Sequence, residues 1–391
     1  MASTLFGLDE LTLTTLSWFC YFGAFMAYIG LLVAGATQLS RRQVIAREVV
    51  DFGGIQPVFA TAGAGAHGGS VSTMVAESAV VPMAGAARLF GRLGAGLTVA
   101  GVALLGSALV MRGESSGHIP YMSLYEICLM LTFGISLAYL LIGELWLKTR
   151  SVGPFVLLFV YLIQSYALLL IPGDLKVVKP LVPALQSAWL PIHVSQAIIA
   201  YSCFAVAAGA AIMYLLKYHQ VGSWTRVLPS LAATDEFMFR AVTVGFPFQT
   251  LLLITGAYWA QSAWSKAWSW DPKEVWALIT WLCYAAFLHV RVQRGWRGTT
   301  VAWMALAGFA VVMVTFIGVN YLVTWFQLDS LHTYAGEMPG VLGFGIFGLI
   351  LVALLGSIGL SESRRRRARA AGLARATART GESARASEQV Q

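Results

Sequence analysis

The sequence predicts an all-α integral membrane protein, a bundle of about nine transmembrane helices with eight as the lower count. Of 391 residues, 58% are hydrophobic and only 11% are charged, too little polar surface for a chain of this length to fold in water. Apolar runs of about 20 residues recur, each long enough to cross a roughly 30 Å hydrocarbon core as a helix. These runs are continuous rather than alternating, which argues against strands, whose open edges lipid does not tolerate.

The first span, 17–38, follows Asp9 and Glu10 with no basic stretch before it, so it does not read as a cleavable signal peptide. Residues 50–87 are rich in Gly, Ala, Ser and Val and read as a linker. Spans over 93–111, 124–146 and 154–172 are bounded by Arg112, Lys148 with Arg150, and Lys176. The fifth, 193–216, opens at His193 and closes at Lys217, and the sixth, 242–259, follows Arg240. The seventh, 275–291, ends at Arg291; the eighth, 300–322, follows Arg297; the ninth, 340–360, precedes an Arg-rich tail.

Charge orients the spans. With the N-terminus outside, the inner segments hold 21 of the 26 basic residues. The outer ones hold Arg112, Lys176, Lys179, Lys266 and Lys273. The positive-inside rule therefore places the N-terminus outside and the C-terminus in the cytoplasm. The net charge of +8 comes largely from the tail, which carries no aromatics; it reads as a disordered anionic-lipid contact, not a nucleic-acid surface. The four cysteines, Cys20, Cys128, Cys203 and Cys283, lie in apolar runs with no CxxC or CxxCH among them. The chain thus has no thiol redox motif and no covalent heme site of its own.

The most unusual stretch runs from Tyr258 to Trp276, with Trp259, Trp264, Trp268, Trp270 and Trp276 inside 18 residues on the expected outer side. Indoles favour membrane interfaces, but an interfacial belt spreads over every span end instead of filling one loop. Indole faces also stack on a flat macrocycle with few torsions to fix. Within this stretch Asp271 and Glu274 invite a catalytic reading. Helix physics offers a stronger one: Asp271 as N-cap, Pro272 at the first helical position and Glu274 completing a capping box.

Topology separates the six histidines. His193 and His332 fall on the same outer face as the tryptophan loop, and two neutral imidazoles flanking an aromatic platform fit axial ligation of heme iron. His289 lies near the inner end of the seventh span, where an ionisable group is a functional candidate; Arg291 and Arg294 beside it are candidates for heme propionates or for snorkelling to the inner surface. His67 and His219 read as solvated. His118 stays open.

Trp270-Asp271-Pro272-Lys273-Glu274-Val275-Trp276, followed by Leu278-Ile279-Thr280-Trp281 and Leu288-His289-Val290-Arg291, resembles the tryptophan-rich (WWD) signature of the cytochrome c assembly family. The likeness is to its CcsA/ResC type, of the system II pathway. Leu124-Tyr125-Glu126, Trp189-Leu190-Pro191-Ile192-His193 and Leu331-His332-Thr333-Tyr334 are similar to its other segments. The resemblance covers roughly 95–360. It implies that His193 and His332 are outer axial ligands of a transient, non-covalent heme b, cradled by Trp259, Trp264, Trp268, Trp270, Asp271 and Trp276. It further implies that His289 is a membrane ligand whose counterpart lies in a CcsB/ResB-type partner subunit. Ser265 stands where the family pattern has Gly.

On this reading residues 1–92 form an N-terminal span with its linker, 93–360 the heme-handling domain and 361–391 the tail. The expected function is one subunit of a cytochrome c synthase in the plasma membrane. It takes heme to the outer face for thioether attachment to an apocytochrome c kept reduced by thiol-reducing pathway proteins, and no acid/base pair is expected of it. The rivals are a heme exporter or chaperone that forms no thioether, a bis-His electron-transfer subunit and a secondary transporter, the last disfavoured by the lack of an inverted repeat.

Overall fold

In the computed structural model, residues 8–52, 85–178 and 186–319 are described, together with a helical stretch over 352–364 and scattered positions between 323 and 370. Eight helices among them are long and apolar enough to cross a membrane. They are α1 (Glu10–Phe52), α2 (Gly85–Ser116), α3 (Leu124–Ala138), α4 (Gly153–Ser165), α5 (Trp189–Tyr218), α6 (Leu231–Trp264), α7 (Pro272–Gln293) and α8 (Thr299–Met313). Three continue as π-helical turns: α3 over Tyr139–Trp146, α4 over Tyr166–Leu170 and α8 over Val314–Gly318. The all-α membrane bundle is as expected. Of the expected ninth span, 340–360, the described residues include a helical run over 352–360 that continues to 364, while 340–344, 346–347 and 350–351 lie outside them.

The helices overrun the apolar stretches that announce them. The expected spans 17–38 and 242–259 sit inside helical spans of Glu10–Ser40 and Leu231–Trp264. Hydropathy marks where lipid begins, whereas a helix continues until a capping residue or a left-handed turn stops it.

Helix α5 is the centre of the bundle. Its stretch Ala205-Val206-Ala207-Ala208-Gly209-Ala210-Ala211 is fully buried, and small side chains let neighbouring backbones approach closely where lipid supplies no hydrophobic drive. A Cβ on Gly209 would lie 2.7 Å from Val156 of α4. On the α7 side Phe204 stacks on Tyr284 at 3.6 Å.

Antiparallel succession puts the starts of α3, α5 and α7 at the same end as the close of α6 and α8. This is the Asp271 end. Eighteen residues along α7 from Asp271, or about 27 Å at the α-helical rise, stands His289 at the opposite end. Each end carries buried ion pairs: Arg112 with Glu10 and Glu126 at the first, Arg291 with Asp235 at the second.

Candidate functional site

A cavity of about 390 Å³ opens at the Asp271 end, lined by His193, Trp259, Trp268, Lys273 and Thr315 among others. Sites for small molecules run from ~300 to 1,000 Å³ and combine apolar walls with a few polar groups. Here the polar groups come from five helix ends, which explains why no contiguous motif announces the cavity as a whole.

His193 stands in the second turn of α5, half-buried. Its Nδ1 lies 3.0 Å from the Leu252 carbonyl of α6. A carbonyl oxygen only accepts, so Nδ1 carries a proton, and in the neutral ring the lone pair is on Nε2, the form in which imidazole ligates a metal ion. The close approach depends on Gly256, where a Cβ would fall 2.6 Å from His193 Cε1. The imidazole lies 5.8 Å from the Trp259 ring, which is 3% exposed.

The five tryptophans divide. Trp259 and Trp268 line the cavity, and Trp264 packs behind Trp259 at 4.8 Å. Trp270 is 75% exposed, adopts φ +61° and meets Trp268 edge-on at 5.9 Å. Trp276 is not among the lining residues; its carbonyl accepts the hydroxyls of Thr280 and Thr315 at 2.9 and 3.1 Å.

The capping box forms as expected. Asp271, 5% exposed, accepts from the Lys273 N–H at 2.8 Å, and Glu274 Oε2 accepts from the Asp271 N–H at 3.2 Å. Glu274 does more than cap. It also accepts from the backbone N–H and the hydroxyl of Ser269, at 2.8 and 3.1 Å. The carboxylate therefore ties the segment bearing Trp268 to the start of α7, and Trp268 is held in the wall by the same group that starts the helix. Upstream, α6 stops at Ser265 in a left-handed turn, φ +58°.

The remaining histidines fall elsewhere. His289 is exposed on α7 at the far end. His332 lies outside the described residues, as does His67. His118 is half-buried beside Tyr121, ring centres 6.2 Å apart. Two sequence expectations need correction. Arg291 neither snorkels nor is available to a propionate: it is buried against Asp235, with its Nη1 3.3 Å from the Trp296 carbonyl. His219 is not simply solvated, because its Nδ1 lies 3.0 Å from the Glu362 carboxylate.

Sequence reasoning missed Tyr121, Met122, Tyr201 and Thr315 as cavity residues. They sit at the ends or inner faces of helices that meet only in the fold. Tyr121 has its phenol pushed above the ordinary tyrosine range by burial, so at neutral pH it is a neutral hydrogen-bonding group.

Residues 121–326 match the family described as "Cytochrome C assembly protein". The chain belongs to the cytochrome c assembly family. Within that family it is similar to "Cytochrome c biogenesis protein CcsA" of Chlamydomonas reinhardtii, 36% identical over 234 residues, covering 59% of this chain and 65% of the relative. It is also similar to the CcsA of Prochlorococcus marinus subsp. pastoris, 37% identical over 265 residues, covering 62% of this chain and 81% of the relative. Among solved structures, "Cytochrome c Heme Lyase CcmF" shares the fold with a TM-score of 0.50 at 15% identity, over 92% of this chain and 53% of that one. Every described residue of the cavity, from Tyr121 to Phe316, lies inside the stretch that matches the cytochrome c assembly family. Helices α1 and α2 lie before it.

Proposed function

We propose that this chain carries heme to the Asp271 end of the bundle, holds it there through His193, and presents it for covalent attachment to an apocytochrome c. The observation that carries the reading is the cavity itself: an imidazole bonded through Nδ1 to the Leu252 carbonyl and set beside the Trp259 indole, in a cavity that Trp268 also lines, in a membrane protein of a cytochrome c assembly family. The residues fit a heme. Indole faces suit a flat macrocycle, Lys273 sets a cation in the wall for an anionic substituent, and the imidazole suits iron.

In this reading His332 supplies the second axial ligand and Trp264, Trp270, Asp271 and Trp276 support the cradle. His289 marks an inner access site on the cytoplasmic side of the plasma membrane, with its partner ligand on a CcsB/ResB-type subunit. The thiols of a CxxCH segment add across the two vinyl groups, each sulfur bonding the carbon next to the ring and each thiol hydrogen going to the terminal carbon. That addition consumes no oxidant or reductant, although the thiols must first be kept reduced by a separate pathway. The chain's own contribution is to hold and orient the macrocycle and to exclude water from it. The heme is cargo, bound without covalent linkage.

The test has two stages. The purified full-length chain is examined by visible absorption, alongside His193→Ala, His332→Ala and His289→Ala. Altered heme content or ligation in these variants is expected, and unchanged spectra in all three would remove the reading. Coexpression with the partner and an apocytochrome, followed by staining for covalent heme, separates synthase from exporter: heme translocated without covalent product overturns the attachment step alone.

A further inference from the structure

Outside the cavity, Arg112 stands near the end of α2 and is 3% exposed. Its guanidinium is bonded on three sides. Nε donates to Glu126 Oε1 at 2.7 Å, Nη1 to Glu10 Oε1 at 3.0 Å, and Nη2 to the Lys176 carbonyl at 2.7 Å. Its face lies over the Tyr125 ring at 5.0 Å, with Lys176 Nζ 5.8 Å from the same ring. One side chain thus joins the start of α1, the end of α2, the start of α3 and the segment after α4.

The second oxygen of Glu126 faces the other way. Oε2 accepts from the N–H of Met122 at 2.7 Å and of Ser123 at 3.2 Å, while Ser123 Oγ accepts from the Glu126 N–H to complete the capping box of α3. Met122 and Tyr121 are cavity wall. A continuous chain of bonds therefore runs from a guanidinium on α2, through one carboxylate, to the backbone of the wall. Both Arg112 and Glu10 precede residue 121, where the family match begins.

We propose that Arg112 is a positioning residue for the cavity: through Glu126 it fixes the Tyr121–Met122 wall, and through Glu10 it makes the α1–α2 pair part of the site. The physical reason is geometric. A carboxylate has two acceptor edges, and only a donor that holds Oε1 at a set distance and direction keeps Oε2 aimed at the two backbone N–H groups. Outer groups that orient a binding shell are worth about 10–100-fold in affinity when removed. The proposal rests on the reading of the cavity as a macrocycle site.

The experiment is a titration of the purified full-length chain with iron protoporphyrin IX, followed by visible absorption. The parent is compared with His193→Ala, Arg112→Met, Arg112→Lys, Glu126→Gln and the Arg112→Met/Glu126→Gln double variant. Alkylation of Cys128, which is buried on α3, reports folding in each. The expected result is binding roughly tenfold weaker in Arg112→Met, partial recovery in Arg112→Lys, no further loss in the double variant, and Cys128 protected throughout. Parent-like affinity in Arg112→Met overturns the proposal. So does an additive loss in the double variant, or a loss that follows Cys128 exposure, since either makes the pair a matter of stability alone. A parent that shows no His193-dependent binding overturns the cavity reading itself, and the proposal with it.

Discussion

At the scale of single residues, two glycine-type positions of α6 play opposite parts, one beside the cavity and one at the helix end. Gly256 leaves room for the His193 ring, since a methyl there would sit 2.6 Å from Cε1 and 2.9 Å from Nδ1. Gly256→Ala is therefore expected to turn the imidazole and break its bond to the Leu252 carbonyl. That bond sets the tautomer, so the variant's iron protoporphyrin complex should bind on the order of tenfold more weakly, with a shifted absorption spectrum. A parent-like titration and spectrum would show that His193 does not ligate through Nε2 in this orientation. Ser265 is the converse case. It ends α6 at φ +58°, ψ +20°, a conformation that costs an L-residue about 1–2 kcal/mol. Ser265→Gly should raise the unfolding temperature in detergent by the equivalent of about 1 kcal/mol without altering heme affinity.

At the scale of elements, the start of α7 decides how the tryptophans are held. Asp271 caps the helix, and Glu274 both completes the cap and pins Ser269. Removing a capping side chain costs about 1 kcal/mol, up to ~2. Asp271→Ala should therefore lower stability by about that amount and loosen Trp268, detectable as increased quenching of tryptophan emission by a soluble quencher; unchanged quenching would detach the cap from the wall. This element is legible in the amino-acid sequence, because the capping box is a local pattern whose spacing is fixed by one helical turn. The spans are legible for a similar reason: lipid demands continuous apolar length, and composition records it. Their ends are less so, as Leu231–Trp264 starts well before its apolar stretch. The cavity as a whole is not legible. His193 and the tryptophan segment carry local signals, but Tyr121, Tyr201 and Thr315 join them only through the packing of α3, α5 and α8. Trp276 and Trp270 show the limit of composition: five clustered indoles look alike in sequence, yet only two line the space.

At the scale of the whole molecule, two buried charge clusters close the bundle at opposite ends, and their roles separate. Arg291 pairs with Asp235, which also accepts from the Gly298 N–H at 2.9 Å, and it reaches the Trp296 carbonyl. That cluster joins the start of α6, the end of α7 and the start of α8, two residues from His289, but about 21 Å along α7 from Ala277, where the cavity wall ends on that helix. Removing one partner of a buried pair strands the other charge, at a cost of about 3–5 kcal/mol, whereas replacing both with apolar side chains is close to neutral. Arg291→Met should accordingly lower the unfolding temperature sharply, and Asp235→Leu added to it should recover most of the loss. Sites this far apart with no shared partner act additively. The surviving folded fraction of Arg291→Met should therefore titrate iron protoporphyrin at the cavity as the parent does, and the double variant should match it. A propionate contact at Arg291 predicts the opposite pattern. If Arg291 held the macrocycle, the double variant would be stable and yet deficient in heme, and the ion pair with Asp235 would have to open during transfer. Parent-like heme content in that stable double variant confines Arg291 to the architecture of the far end.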